Sequence, residues 1–273
     1  MECRVKDILV HYEAIGEGKP VVQLHGYFPD HRLMTGCMEP VFAKRSGYRR
    51  IYPDLPGMGK TPGADWIVNS DSMLEVMLEF IDRIIPGENF LLAGESYGGY
   101  LARGIVSRWP ERVDGLFLLC PCIVADREKR DIPPFTVLKT DEELLARLDD
   151  KDAEEFGAMA VVQSEALWQR FRDEILSGCR IADEKRLNHL QNTGYAFSFD
   201  VDAPDRPFGK PTLMLLGRQD ASVGYKDAWK ILDQYPRATF AVLDRAGHNL
   251  QIEQEEVFNC LVREWLDRVE ESV

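Results

Sequence analysis

The sequence predicts an α/β fold, a mostly parallel sheet with helices on both faces, and three observations predict it. Short apolar runs of strand type alternate with segments of helical spacing from Val21 to Leu119. One of these runs, Phe90–Ala93, stops abruptly at Gly94-Glu95-Ser96-Tyr97-Gly98, and helical spacing starts at once behind it. The alternation then breaks at Ile123 and resumes at Pro211, with about eighty residues of helical, charge-rich composition in between. A single crossover needs only about a dozen residues, so the excess reads as an inserted helical unit.

Composition bounds the rest. The chain has 273 residues, 45% hydrophobic and 29% charged, which suits one large domain or one domain with an insertion. Its formal net charge of −13 repels phosphate backbones and anionic membranes. The expected partner is therefore a small-molecule substrate, with no nucleic acid and no membrane. Met1-Glu2-Cys3-Arg4-Val5-Lys6-Asp7 is followed by no apolar signal-type run, and nowhere are there about 18 consecutive apolar residues, so a cytoplasmic location is expected. Six scattered cysteines read as free thiols. Cys120-Pro121-Cys122 has no second Cys/His pair nearby at ligand spacing, so packing explains it and neither metal nor cofactor is expected.

Taken in order, Arg4–Ile15 alternates like a pair of strands bending at Lys6-Asp7, and residues 16–20 form a turn. Val21–Leu24 is a short buried strand running into His25-Gly26-Tyr27-Phe28-Pro29. A helical stretch near Arg32–Lys44 and a strand at Tyr48–Tyr52 follow. Gly59-Lys60-Thr61 resembles the tail of a phosphate-binding loop, but the full pattern needs glycine at position 54, which is Asp; turn chemistry suffices. Ser72-Met73-Leu74-Glu75 reads as a capping box opening a helix with the stripe Leu74, Met77/Leu78, Ile81 and Ile84/Ile85, ended by Pro86-Gly87. Val113–Leu119 is another buried strand. Helices are expected over Asp141–Leu148, Asp152–Ala160, Gln163–Leu176 and Asp183–Leu190. Strands at Pro211–Leu216 and Thr239–Leu243 flank a helix over Tyr225–Leu232. The last helix places Val257/Phe258, Leu261/Val262, Trp265/Leu266 and Val269 on its core face.

Gly-x-Ser-x-Gly between strand and helix is a nucleophile elbow: the turn is too tight for side chains at Gly94 and Gly98 and lifts the Ser96 hydroxyl clear of the sheet. The helix N-terminus behind it offers free N–H groups to an oxyanion. A serine hydroxyl needs a base near pH 7, and imidazole suits that task. Of five histidines, His25 and His248 follow strands directly, and His248, after the last strand, can reach back to Ser96. Asp220, four residues past a strand end, is the carboxylate placed to hold the imidazole, with Asp126 the fallback and Asp244 too near His248 along the chain.

Five pieces in order carry a resemblance: His25-Gly26-Tyr27-Phe28-Pro29, residues 54–59, Gly94-Glu95-Ser96-Tyr97-Gly98-Gly99, Gly217-Arg218-Gln219-Asp220 and Gly247-His248. Over nearly its whole length the chain resembles the α/β-hydrolase superfamily, in its serine-nucleophile, capped form. The resemblance implies an eight-stranded sheet with a helical cap after the sixth strand: core over 1–122 and 207–273, cap over 123–206. It implies Ser96, Asp220 and His248 as catalytic residues, an oxyanion hole from the backbone N–H groups of Tyr27 and Tyr97 with Phe28 the alternative to Tyr27, and a supporting role for the His25 ring. Phe28 and Tyr97 are expected to enclose the substrate. Ser rather than Asp at the elbow argues against dehalogenase and epoxide hydrolase chemistry. Gly-Glu-Ser-Tyr-Gly-Gly is also similar to the serine carboxypeptidase motif, whose glutamate binds a carboxylate; for Glu95 a satisfied polar contact is the simpler expectation. The expected activity is cofactor-independent hydrolysis of a small ester, thioester or amide. C–C bond hydrolysis of dienoate-type diketones and aminopeptidase action are the alternatives within the scaffold, and a non-catalytic ligand-binding protein is the alternative of another class.

Overall fold

The structure is a computed structural model and describes residues 1–203 and 206–272. Pro204, Asp205 and Val273 lie outside the described residues, so the expected cap, 123–206, is described except at positions 204 and 205. Its centre is an eight-stranded sheet: β1 (Glu2–Val5), β2 (Ile8–Ile15), β3 (Lys19–Leu24), β4 (Tyr48–Pro53), β5 (Phe90–Glu95), β6 (Val113–Leu119), β7 (Thr212–Gly217) and β8 (Ala238–Leu243). The spatial order is β1-β2-β4-β3-β5-β6-β7-β8. The β1–β2 and β2–β4 pairs are antiparallel and all others parallel. β5 lies mid-sheet, between β3 and β6, with all six residues buried. That is what a continuous apolar run without alternation dictates for a strand covered on both faces.

The helices α1 (Arg32–Phe42), α2 (Ser70–Ile84), α3 (Tyr97–Arg108) and α11 (Glu255–Glu270) cover the sheet. The start of α2 differs from expectation. Asn69, not Ser72, is the N-cap: its side chain accepts the Ser72 N–H at 2.9 Å, and Ser72 Oγ accepts the Asn69 N–H at 3.2 Å. The extended backbone of Asn69 lets the helix begin three residues early, so Glu75 plays no part in the cap. The buried face of α2 is accordingly centred on Met73, Met77 and Phe80/Ile81, with Leu78 and Ile84 only half-buried. On α11, Phe258, Val262, Trp265, Leu266 and Val269 are buried, whereas Val257 is exposed, because the face in contact is narrower than the run of apolar residues.

Between β6 and β7 stand α4 (Glu142–Leu145), α5 (Asp150–Gly157), α6 (Glu165–Arg170), α7 (Ser177–Cys179) and α8 (Glu184–Thr193), a π-helical turn over Phe171–Leu176 joining α6 to α7. Four of them start at a side chain that accepts a first-turn N–H: Asp141, Asp149, Ser164 and Asp183. α4 is half the expected length, and residues 138–141 instead run beside 161–163, bridging at Lys139 and Val162. α9 (Lys226–Lys230) is likewise shorter than expected, and α10 (Leu250–Glu253) precedes α11. No helix among the described residues is long and apolar enough to cross a membrane.

Candidate active site

Ser96 occupies the turn between β5 and α3 with φ 51° and ψ −112°, a region that L-residues rarely adopt. Close packing fixes it there. A Cβ at Gly94 would meet Gly98 O at 2.3 Å, and a Cβ at Gly98 would meet Leu24 O at 2.3 Å, so the turn closes only because both side chains are missing. The Ser96 N–H donates to Leu119 O at 3.0 Å, and its carbonyl accepts the Cys122 N–H at 2.9 Å. These bonds tie the turn to the end of β6 and leave the hydroxyl facing the loops beyond the sheet.

Two of those loops meet it. His248, following β8, places Nε2 2.9 Å from Ser96 Oγ, and its Nδ1 lies 2.9 Å from Asp220 Oδ2. Asp220 follows β7 and is fully buried, with Oδ1 accepting the N–H groups of Ser222 and Val223 at 2.8 and 3.0 Å. An ionised carboxylate only accepts, so Nδ1 carries a proton; in the neutral ring Nε2 is then free to accept from the serine. Burial opposes the charge of Asp220, but the His248 ring and the two N–H donors outweigh it and hold the carboxyl below the usual range. Burial also disfavours a charged His248, yet Asp220, through its charge and its hydrogen bond, and then Glu95 lift the ring to about 9.

The loop after β3 approaches from the other side. His25 is buried; its Nε2 accepts the Leu55 N–H at 2.9 Å, so Nδ1–H donates to Gly26 O at 2.8 Å and the ring braces the turn. Among the described residues, the N–H groups of Tyr27, Phe28 and Tyr97 donate no hydrogen bond within the protein. Phe28 is held at φ 83°. The Tyr27 ring packs edge-on against Tyr97 at 4.8 Å and Tyr195 at 5.3 Å, and its hydroxyl donates to Leu187 O at 2.9 Å. The Tyr97 side chain does not face the cavity as expected. It is fully buried, drawn in by Ser70 on α2, whose Oγ lies 2.8 Å from its hydroxyl.

A cavity of about 410 Å³ opens over Ser96 and His248. Phe28 lines it with Glu95, as do residues that the sequence did not single out: Met159, Phe171, Ile175, Leu176 and Cys179 from the segment between β6 and β7, together with Glu155. Apolar spacing in the segment 156–179 is the one trace of this wall in the sequence. The other candidates lie elsewhere. Asp126 is exposed and pairs with Lys129 at 2.9 Å, while Asp244 accepts from Gln219 Nε2 at 2.8 Å. Asp54 accepts the Lys60 N–H at 2.8 Å and pairs with His31 Nδ1 at 2.7 Å; this accounts for the Gly59-Lys60-Thr61 turn without a phosphate. Cys120 joins Asp220 and His248 within 4.8 Å, but burial pushes its thiol well above the usual range and both oxygens of Asp220 are already engaged. That donor set suits proton transfer better than metal binding.

Comparison with known proteins fits this geometry. Residues 19–255 match the family model described as alpha/beta hydrolase fold. The chain belongs to the α/β-hydrolase fold family. It is 30% identical to the pimeloyl-[acyl-carrier protein] methyl ester esterase of Aeromonas hydrophila, over 88% of this chain and 92% of that one. It is 26% identical to the 2-hydroxy-6-oxo-6-phenylhexa-2,4-dienoate hydrolase of Comamonas testosteroni, over 97% and 93%. The alpha/beta superfamily hydrolase of Oenococcus oeni PSU-1 superposes with a TM-score of 0.89 at 30% identity, covering 99% of both chains. The protein is thus an esterase-like hydrolase of the α/β-hydrolase fold.

Proposed function

We propose that the protein is a cofactor-independent serine hydrolase that cleaves a small-molecule ester, thioester or amide through an acyl-enzyme on Ser96. The observation that carries this reading is the unbroken relay of 2.9 Å contacts from Ser96 Oγ through the His248 ring to Asp220. His248 takes the serine proton as Oγ attacks the acyl carbon, and Asp220 holds the Nδ1–H tautomer and balances the imidazolium. The undonated N–H groups of Tyr97 and Tyr27 receive the oxyanion. His248 then gives its proton to the leaving group, and water, activated by the same ring, releases the acid. Residues 123–206 act as a cap over a core formed by 1–122 and 207–273, and its apolar wall takes the acyl chain, with Phe28 opposite.

The cavity lining carries the carboxyl groups of Glu95 and Glu155 and, among the described residues, no lysine or arginine that would hold a substrate carboxylate, which favours a neutral ester over a dienoate. Glu155 is the cap carboxylate that an aminopeptidase would turn on a substrate ammonium. Arg180 at 3.6 Å and Lys151 at 3.8 Å already counter its charge, which leaves ester hydrolysis as the better reading. The test is a fluorophosphonate probe together with a panel of p-nitrophenyl esters, amino-acid arylamides and a dienoate. Stoichiometric labelling of the wild type, none of Ser96→Ala, and turnover of esters first is the expected result. A well-folded wild type that never labels would favour a non-catalytic binding protein on this scaffold.

A further inference from the structure

His248 is bordered by two carboxyl groups, and only Asp220 has a role in the reaction described above. The other belongs to Glu95, the residue before the nucleophile. Its Oε1 lies 3.3 Å from Nε2, the same nitrogen that faces Ser96 Oγ at 2.9 Å. Glu95 is 2% exposed yet lines the cavity. Gly26 opposite it makes room: a Cβ there would stand 2.1 Å from Glu95 Oε2, and the Gly26 N–H supports the carboxylate.

We propose that Glu95 is a positioning residue for the imidazole, its charge beside Nε2 holding a proton there and so raising the pH at which the nucleophile is released. The idea rests on His248 being the base that serves Ser96. With one proton on the pair, the ring holds it on Nε2, where the ionised Glu95 3.3 Å away stabilises the imidazolium by its charge, and the serine has no base. When that proton leaves to solvent, Nε2 regains its lone pair and accepts the Ser96 hydroxyl. As Oγ attacks, the serine proton moves to Nε2, and the Glu95 carboxylate then favours the imidazolium just formed. One carboxyl therefore raises the pH threshold and strengthens the base above it.

The remaining groups around this pair do not substitute for it. Asp220 faces the opposite ring nitrogen. The thiols of Cys37, Cys120 and Cys179 feel the Glu95 charge, but burial first raises the pKa of each, and so they stay neutral. Arg130 opposes the charging of His248 more weakly than Asp220 or Glu95 favours it. Glu155 is paired with Arg180, and the Glu253 carboxyl accepts the N–H groups of Gly247 and Val161.

The measurement is the rate constant of fluorophosphonate labelling between roughly pH 5 and 10, for wild type and Glu95→Gln. An opposite charge at this range shifts a pKa by about 1–3 units, so the acid limb should move down by about one unit or more. The plateau above it should fall, because the base is weaker. A limb that stays in place or moves up overturns the proposal. Should the amide variant not fold, spectra of the wild type labelled with 15N-histidine decide: two inflections in the His248 ring support the shared proton, and a single one overturns it. If Ser96→Ala still labels, the triad reading fails instead, whatever Glu95 does.

Discussion

Replacing Gly94 by Ala tests whether the elbow works through close packing. The added Cβ would lie 2.3 Å from Gly98 O, 2.5 Å from Gly98 C and 2.6 Å from Gly99 N, all backbone atoms that no rotamer change can move aside. To bring the first contact to 3.0 Å the first turn of α3 must retreat by roughly 0.7 Å. That turn carries the Tyr97 N–H and is bonded to Ser96 through Tyr100 N–H at 3.1 Å, so the oxyanion donor and the nucleophile shift together. Overpacking of this kind costs about 1–3 kcal/mol of stability, and a displacement of about 1 Å at a reacting centre costs on the order of 100-fold in rate. Urea unfolding and the fluorophosphonate labelling rate read the two effects separately. A variant that folds and labels at the wild-type rate would refute the claim that missing side chains at 94 and 98 hold Ser96 in place.

Three further outcomes are expected. Asp220→Asn should lower the labelling rate by about 10⁴-fold with little change in KM for esters, since the amide reverses the Nδ1 tautomer; a loss under about tenfold would remove Asp220 from its role. Asp54 is buried, which by itself raises its pKa, but His31, His25 and the Lys60 N–H bring it down to about 2. A folded-state pKa below the unfolded value of about 3.8 gives stability that is present above that value and lost as pH falls toward 2. Wild type should therefore lose roughly 2 kcal/mol between about pH 4.5 and 2 that Asp54→Asn does not, as read by urea midpoints. Met159→Trp fills the cavity wall, so p-nitrophenyl esters with long acyl chains should lose at least about tenfold in kcat/KM while acetate esters are spared; equal loss for both would show that the wall does not select the acyl chain.

How much of this the sequence carried depends on how local each cause is. β5 and its turn were legible because an all-buried strand must be continuously apolar and a turn this tight must hold glycine at 94 and 98. Asp220 and His248 were legible as strand-end residues, because parallel strands deliver the residues behind them to one rim. The N-cap of α2 was not, since Asn69 and Ser72 are both good caps and the choice between them rests on the Ser70 N–H reaching Gly194 O at 2.9 Å, a contact from the far side of the chain. The direction of the Tyr97 ring was missed for a similar reason: Ser70 and Tyr195, distant in sequence, form its surroundings. The cavity wall from Met159 to Cys179 reads in sequence as ordinary helix core, because helical periodicity says that a face is buried without saying whether a neighbour or a ligand covers it.

The two carboxyls around His248 show why residue type alone could not assign their parts. Asp220 sits at 0% exposure, as buried as Glu95, but its Oδ1 accepts two backbone N–H groups and its Oδ2 the imidazole, so its charge is met on every side and its pKa falls. Glu95 has the Gly26 N–H and the edge of the same ring; burial dominates, Asp220 adds repulsion, and the carboxyl is pushed up to about 7. Equal burial with unequal donors separates one permanently ionised partner from one that titrates near neutrality. The permanently ionised group can hold a tautomer through a whole turnover, and the titrating one adds its charge beside the ring only once it has lost its own proton.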